Sequence, residues 1–538
     1  MSSEISQEQI KAYPAFWGMA YRQLRGQKYG FFGTKEWPTR HRPFLMFPLL
    51  KKSRVKGYKK SRQAGVSENS VTETLWMLDQ YAINAVYTFP SPKQVEDFSN
   101  TRIKTALTDS QDNALEKLMG DPQNVTLRKI GKGYLYLRSA TNAKLGEGID
   151  ADLVVFDEID RMRRNVGVAF KESLSASRFG WHREVSTPTL PNRGVDELWK
   201  KANQWHWFVR CDACGKKQVL KYPDNILTLK DIPAYEKIIP PGSYDFCCSH
   251  CKSKKINRWN GQWELTRRVA SDDHDCFQIN QLMCNWINAD QIMQKKRDYR
   301  FPQLFWNYVL GLEYASDNIL VTEAHMLRCI DTSLYNGVGR SARYVRYSVG
   351  IDWGNLSWAV VYGMKEDGQV DLLNILMVED SSEPLESTKQ IARFIEPFKP
   401  DIIVADTGYG KDRIAYLMKQ FPERVYGCSY SQNAKAIQPK FNESSHSVTV
   451  DRTAWLKGTA QEYREAKIRI PSADRVPLIP EYIKQMTTSV VMLEEDDDGN
   501  IVERVEETGD DHFFHASGYG LMGFTYYGDS TEFDFDFV

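Results

Sequence analysis

The chain has no run of about 18 consecutive apolar residues, and its start, MSSEISQEQIKAY, has no basic flank leading into an apolar stretch. Neither a membrane span nor a secretory leader is expected, and a cytoplasmic location follows by default. Net charge is also missing, since 70 Lys+Arg offset 70 Asp+Glu. A uniformly basic coat for nucleic acid is thereby excluded. No internal repeat occurs, which removes solenoids and propellers. What remains is an ordinary globular composition, 42% hydrophobic and 26% charged over 538 residues. At roughly 150 residues per domain this length predicts two to four domains.

Cysteine is sparse but clustered. Of nine cysteines, Cys211, Cys214, Cys247, Cys248 and Cys251 crowd into one segment, and an odd total in a long chain argues for a metal site over a disulfide framework. The motifs 211-CDACGK-216 and 247-CCSHC-251 form two C-x2-C knuckles, the arrangement by which two tight turns deliver four thiolates to tetrahedral zinc. Cys211, Cys214, Cys248 and Cys251 are the expected ligands, with Cys247 and His250 within reach of the same turn as substitutes. Four protein ligands leave no open position, so the expected role of Zn2+ is structural.

From 57 to 190, apolar strand-like runs (85–89, 134–138, 152–158, 183–188) alternate with helical stretches at 68–82 and 93–107, the pattern of a parallel α/β sheet. This first domain is expected over 51–335. Residues 205–265 interrupt its rhythm with cysteines, Trp and Pro-Pro-Gly and are expected to form a zinc-ribbon-like insertion. Residues 290–313 are expected as one amphipathic helical segment and 336–346 as a linker. Beyond it, three strand-like runs (347–353, 358–364, 370–378), a helical run 385–397 and a buried strand 401–406 predict a second α/β domain over 347–538. Charge is segregated locally. The run 51-KKSRVKGYKKSR-62 carries seven cations and no acid, whereas 494-EEDDD-498 and the tail 529–538 are acidic. The basic run, and 161-RMRR-164, are candidate contacts for DNA phosphates.

The segment 58-YKKSRQAGVSENS-70 offers the parts of a phosphate-binding loop: a strand end, a turn at Gly65, and Ser67 opening a helix as a Mg2+ ligand. Val66 stands where lysine would follow the glycine, so the cation must come from earlier in the loop, with Lys60 preferred to Arg62. In 152-DLVVFDEID-160 an apolar strand ends in Asp157 and Glu158, suited to holding Mg2+ and to polarising the attacking water, respectively. The run 184-EVSTPT-189 ends another strand in Ser186 and Thr187, hydroxyls suited to sensing the γ phosphate or coupling hydrolysis to motion.

In the second domain, Asp352 ends the run 348-SVGIDWG-354 and Asp406 recurs in 401-DIIVADTGYG-410. Carboxylates at neighbouring strand ends can jointly hold two divalent cations, Mg2+ or Mn2+, about 4 Å apart for phosphodiester cleavage. A third ligand is offered by 509-GDDHFFHASGYGLMGF-524, as Asp511, Asp510 or His515. Three antiparallel strands, a helix and a strand bearing the second acid make an RNase H-like topology.

A deviant phosphate loop, a D-E strand, a hydroxyl strand, paired cysteine knuckles and a C-terminal acid set, in that order, resemble the large subunit of tailed-phage terminases. The lambda-like branch is the best fit, through 60-KSRQAGVSE-68, 205-WHWFVRCDACGKKQ-218 and 305-FWNYVLGLEY-314. The resemblance implies a P-loop ATP site drawing on Lys60, Ser61, Arg62, Gly65, Ser67 and Asp157, with Glu158 as the catalytic base. It further implies ATP-driven translocation of double-stranded DNA into a procapsid, cutting of concatemers by the C-terminal domain, and action in the host cytoplasm. Expected partners are the small terminase subunit, the portal protein, for which the tail 533-FDFDFV-538 is a candidate docking segment, and further copies of the chain in a ring. Residues 1–50 are expected as an arm that binds the small subunit or closes over the adenine.

Overall fold

The computed structural model describes residues 5–527, apart from 163, 234–235, 270–272, 300, 315–318, 335–336, 355, 380–384, 409, 432–437 and 496–500. The acidic tail and most of the 494–498 run thus lie outside the described residues. Two compact units are present, Met1–Tyr314 and Ala315–Val538. Among the described residues no helix is long and apolar enough to cross a membrane.

The first unit is built on an 11-stranded sheet. Its principal strands are β1 (Val55–Lys60), β2 (Ala85–Phe89), β3 (Gly133–Ser139), β4 (Leu153–Asp157), β5 (Trp181–Ser186), β6 (Asn203–Cys211), β7 (Lys217–Val219), β8 (Ile256–Arg267) and β9 (His274–Ile279). The parallel part runs β6-β9-β1-β5-β4-β2-β3 in space. Strands β2 and β4 are buried at every position, as the covered faces of a parallel sheet require. Helices α1 (Val66–Tyr81), α2 (Pro92–Phe98) and α3 (Val195–Lys201) follow β1, β2 and β5.

Three expectations are corrected here. Residues 205–265 are only in part an insertion: β6 pairs in parallel with β9, and β7 and β8 both pair with β6, while 226–228 and 244–246 form a separate two-stranded sheet. The segment 1–50 is no free arm. Ala15, Phe31, Phe44 and Leu49 are buried against Tyr58, Trp207 and Phe277 of the sheet, as an apolar sheet face requires a cover. The segment 290–313 is broken into Ala289–Asp298, Pro302–Phe305 and Trp306–Leu310, since Pro302 cannot donate within a continuous helix and opens a new one.

The second unit carries an eight-stranded sheet, with β10 (Arg346–Trp353), β11 (Leu356–Met364), β12 (Val370–Glu379), β13 (Ile402–Asp406) and β14 (Val425–Ser431). β10, β11 and β12 are antiparallel neighbours, while β13 lies parallel to β10 and β14 parallel to β13. The unit begins ahead of the 336–346 stretch expected as a linker, because Leu320, Val321, Met326 and Cys329 are buried in its core. Helix α4 (His512–Phe524) crosses β10 at very close range. A Cβ on Gly350 would lie 1.9 Å from the Ala516 carbonyl oxygen, and Ser348 Oγ donates to the Gly520 carbonyl at 2.6 Å. Only glycine at 350 lets the helix lie this close to the strand that ends in Asp352.

Candidate functional site

The loop after β1 turns through Gln63 and Gly65, both at positive φ (62° and 92°), and delivers the N-terminus of α1 to the carboxyl edge of the sheet, where helix dipole and free N–H groups favour an anion. β5 lies between β1 and β4, so Ser186 stands between the loop and the two acids. Asp157 is buried and receives the Tyr87 hydroxyl at 3.0 Å. Burial raises its carboxyl above the ordinary range; Lys60, Tyr87 and Ser67 oppose that rise. Glu158 adopts a left-handed backbone (φ 62°), a conformation costly for a non-glycine residue. Its N–H donates to the Val185 carbonyl at 2.7 Å, and Gln94 Nε2 donates to its Oε2 at 2.8 Å. Lys60, Ser67, Asp157 and Glu158 are thus brought together. Arg62 is not part of that group: its guanidinium lies over the Tyr308 ring at 3.6 Å.

Behind the acids sits Asp160, which was not singled out by sequence. Its N–H donates to Ser186 Oγ at 3.2 Å, and its buried carboxylate accepts the N–H groups of Thr189 and Val195, each at 3.0 Å. Burial pushes this carboxyl up to about 6 despite those bonds. Asp196, next along α3, holds Lys59 Nζ at 2.7 Å. Tyr87, Gln94 and Asp160 were missed for different reasons. A tyrosine in an apolar strand was a readable signal for the first, whereas the other two act through contacts distant in sequence.

The basic run 51–62 is divided, with Lys52, Arg54 and Arg62 exposed and Lys56 and Lys59 buried. Lys56 is buried and pairs with Glu73 at 2.7 Å, and Glu73 also holds Arg183 at 3.0 Å. Lys59 is buried between Asp196 and Glu313, and Lys51 pairs with Asp275 at 3.6 Å. Of 161-RMRR-164, Arg161 stands 4.0 Å from Glu158; Arg163 and the Arg164 side chain lie outside the described residues.

The four expected cysteines converge. The sulfurs of Cys211, Cys214, Cys248 and Cys251 all lie within 4.8 Å of one another, with Cys211–Cys251 at 3.8 Å and Cys214–Cys248 at 3.7 Å. A tetrahedron with metal–sulfur bonds near 2.3 Å has edges of about 3.8 Å, so the set fits zinc. The turns match: Gly215 and Lys252, each following the second cysteine of its knuckle, both adopt positive φ (73° and 57°). Cys247 is outside the cluster, its thiol directed at the Asp224 carbonyl, and His250 is not part of it either.

In the second unit, Ile351 pairs with Ala405 in parallel register, which places Asp352 and Asp406 side by side at the next step. Asp511 directly precedes α4 and is buried, whereas Asp510 is exposed. Burial raises the Asp511 carboxyl, but His515, Arg452 and His512 outweigh it and hold the group below the usual carboxylate range. His515 Nε2 lies 3.3 Å from Asp511 Oδ2 and its Nδ1 lies 3.4 Å from the Tyr430 hydroxyl, so it braces Asp511. His512, unnoticed in the sequence, stacks on Trp358 at 3.7 Å and places Nδ1 2.7 Å from Asp352 Oδ2. Three oxygen-donor acids suit a hard divalent cation. Among the described residues the cysteine quartet is the only set of three or more potential ligand atoms all gathered within 4.8 Å of one another.

Residues 30–267 match the family model described as the ATPase domain of phage terminase large subunit gpA. Among solved structures, the chain is 13% identical to the large terminase of a thermophilic bacteriophage, covering 87% of this chain and 93% of that one with a TM-score of 0.32. The ATPase domain of the Thermus phage P74-26 large terminase is 13% identical over 50% of this chain and 92% of that one, with a TM-score of 0.34. The large terminase nuclease of thermophilic phage G20c is 13% identical over 38% and 97%, with a TM-score of 0.25. No curated protein matches. The family match thus covers residues 30–267, within the first unit of the chain.

Proposed function

We propose that this protein hydrolyses ATP at the carboxyl edge of its first sheet to drive double-stranded DNA into a procapsid, and cuts concatemeric DNA in its second unit. The observation that carries the ATPase site is the meeting of Lys60, Ser67, Asp157 and Glu158 around the α1 N-terminus. Lys60 supplies the cation that Val66 cannot, and Ser67 and Asp157 are the ligands for Mg2+, which when bound neutralises phosphate charge. Gln94 fixes the Glu158 carboxylate so that its other oxygen can orient water and accept its proton. Ser61 Oγ, buried without a partner, is a donor that bound nucleotide would satisfy. Ser186 and Thr187 stand where phosphate loss is passed to the turn after Asp157.

The four cysteines hold structural zinc in this reading. Partners are duplex DNA, the small terminase subunit, the portal and further copies in a ring, with the host cytoplasm as the compartment. For cleavage, Asp352, Asp406 and Asp511 would hold Mg2+ or Mn2+, which activates water and stabilises the leaving oxygen. A second reading, a DNA-remodelling ATPase with a silent second unit, is favoured by one observation: the three acids are not gathered within a shared ligand distance, and His512 engages Asp352.

Two experiments test these assignments. Lys60→Ala is expected to weaken ATP binding by at least about tenfold, the scale of one lost charge-assisted contact, while Val66→Ala leaves it within about twofold; equilibrium nucleotide titration that ranks them the other way relocates the phosphate contact. Plasmid incubated with the full-length chain and Mn2+ is expected to be cut, and Asp352→Ala to abolish cutting. No cutting by the unaltered chain selects the silent-unit reading, and full cutting by the variant removes Asp352 from the site.

A further inference from the structure

Lys56 and Lys59 are buried in ion pairs, so that of the 51–62 cations Lys52, Arg54 and Arg62 are the exposed ones, and a further exposed group of cations lies elsewhere in the first unit. The two cysteine knuckles present Arg210, Lys216, Lys217, Lys252, Lys254 and Lys255, all exposed. Lys217 is paired with Glu264 at 2.6 Å and Lys254 with Asp245 at 3.2 Å. Arg210 Nε and Lys252 Nζ donate to backbone carbonyls, those of Gly215 and Asp224, at 3.1 and 3.0 Å, which leaves their charge uncompensated. Among the described residues Arg210, Lys216, Lys252 and Lys255 therefore have no carboxylate partner.

These four cations flank the two knuckle turns. Each knuckle is closed by its own hydrogen bonds, Gly215 N–H to the Cys211 carbonyl at 2.8 Å and Lys252 N–H to the Cys248 carbonyl at 2.9 Å. Both are rooted in strands of the central sheet that also carries the ATP site. We propose that the paired knuckles are a phosphate-gripping surface for duplex DNA, in which Arg210, Lys216, Lys252 and Lys255 contact the backbone without reading bases. Point charges on short turns, with no aromatic or amide side chain among the four, suit a partner recognised by charge alone. A chain of zero net charge needs such a local concentration to hold a polyanion at all. The inference rests on the DNA-translocating reading above.

Full-length protein is titrated with random-sequence duplex over a series of salt concentrations, alongside the Arg210→Ala/Lys216→Ala/Lys252→Ala/Lys255→Ala variant. Each phosphate contact contributes about 0.9 to the slope of log affinity against log salt, so the variant's slope is expected to be shallower by about 3.6. Zinc content and ATP turnover without DNA stay as in the unaltered chain. A second variant removing four other exposed cations of the same unit, Lys93, Lys104, Lys117 and Lys132, is expected to keep the full slope. An unchanged slope in the knuckle variant, or an equal loss in the second, overturns the proposal. Zinc loss from the knuckle variant also overturns it, because the cations would then serve to balance the net charge of about −2 on a four-thiolate zinc site. An unaltered chain that binds no duplex refutes the DNA reading itself.

Discussion

Glu158→Gln is expected to bind ATP normally and to hydrolyse it about 10²–10⁴-fold more slowly, the range that a positioned general base contributes. Glutamine keeps the size of the side chain and can still meet Gln94, but it cannot accept a proton. The backbone there is already at φ 62°, so the strain of about 1–3 kcal/mol at such a position is present in the variant as well and fold and affinity are preserved. Single-turnover hydrolysis combined with nucleotide binding separates the two effects: loss of kcat without loss of affinity is the predicted outcome. Turnover equal to that of the unaltered enzyme would move the base to another residue.

The second large effect concerns stability. Glu73 lies in the middle of α1 and receives Lys56 Nζ at 2.7 Å and Arg183 Nε at 3.0 Å, from β1 and β5, all buried. Burial raises the Glu73 carboxyl, yet Arg183 and Lys56 outweigh it and keep it ionised below the usual range. Burial presses the Lys56 amine down to about 8, with Glu73 opposing. Glu73→Gln leaves two buried cations facing a neutral amide and is expected to cost about 3–5 kcal/mol, the cost of breaking a buried charge cluster from one side. Urea unfolding followed by tryptophan fluorescence reads this as a lower midpoint. A midpoint unchanged within error would mean that water reaches these groups and screens them.

Local chemistry was legible in the letters and long-range partnership was not. The run 85-AVYTF-89 and strand β2 coincide, and the 152–158 run falls on β4, because apolar runs between turns report burial directly. The two C-x2-C spacings marked the four sulfurs that meet, each pair set by a local turn, while the pairing of β6 with β8 brings the two knuckles together. The burial of Lys56 and Lys59 within the run 51–62 was not legible for the opposite reason: their anionic partners come from residues 73, 196 and 313, and no spacing rule connects them. Likewise, the edge status of 205–265 is decided by pairing of β6 with β9, a parallel contact between segments far apart in the chain. In the second unit the order of Asp352, Asp406 and Asp511 was readable, while the brace from His515 to Asp511 and the hold of His512 on Asp352 depend on how the helix is rotated over the strand.

Asp160 grips the backbone at Val195, Asp196 on the following residue grips Lys59, and Lys59 precedes the lysine assigned to the phosphates. With β4, β5 and β1 adjacent in the sheet, these contacts close a circuit around the nucleotide edge. Any displacement of the acidic corner must therefore tug the first turn of α3 and, through it, the root of the phosphate loop. In the ATPase reading proposed above, the acidic corner and the phosphate loop are thus tied by direct hydrogen bonds and one buried ion pair.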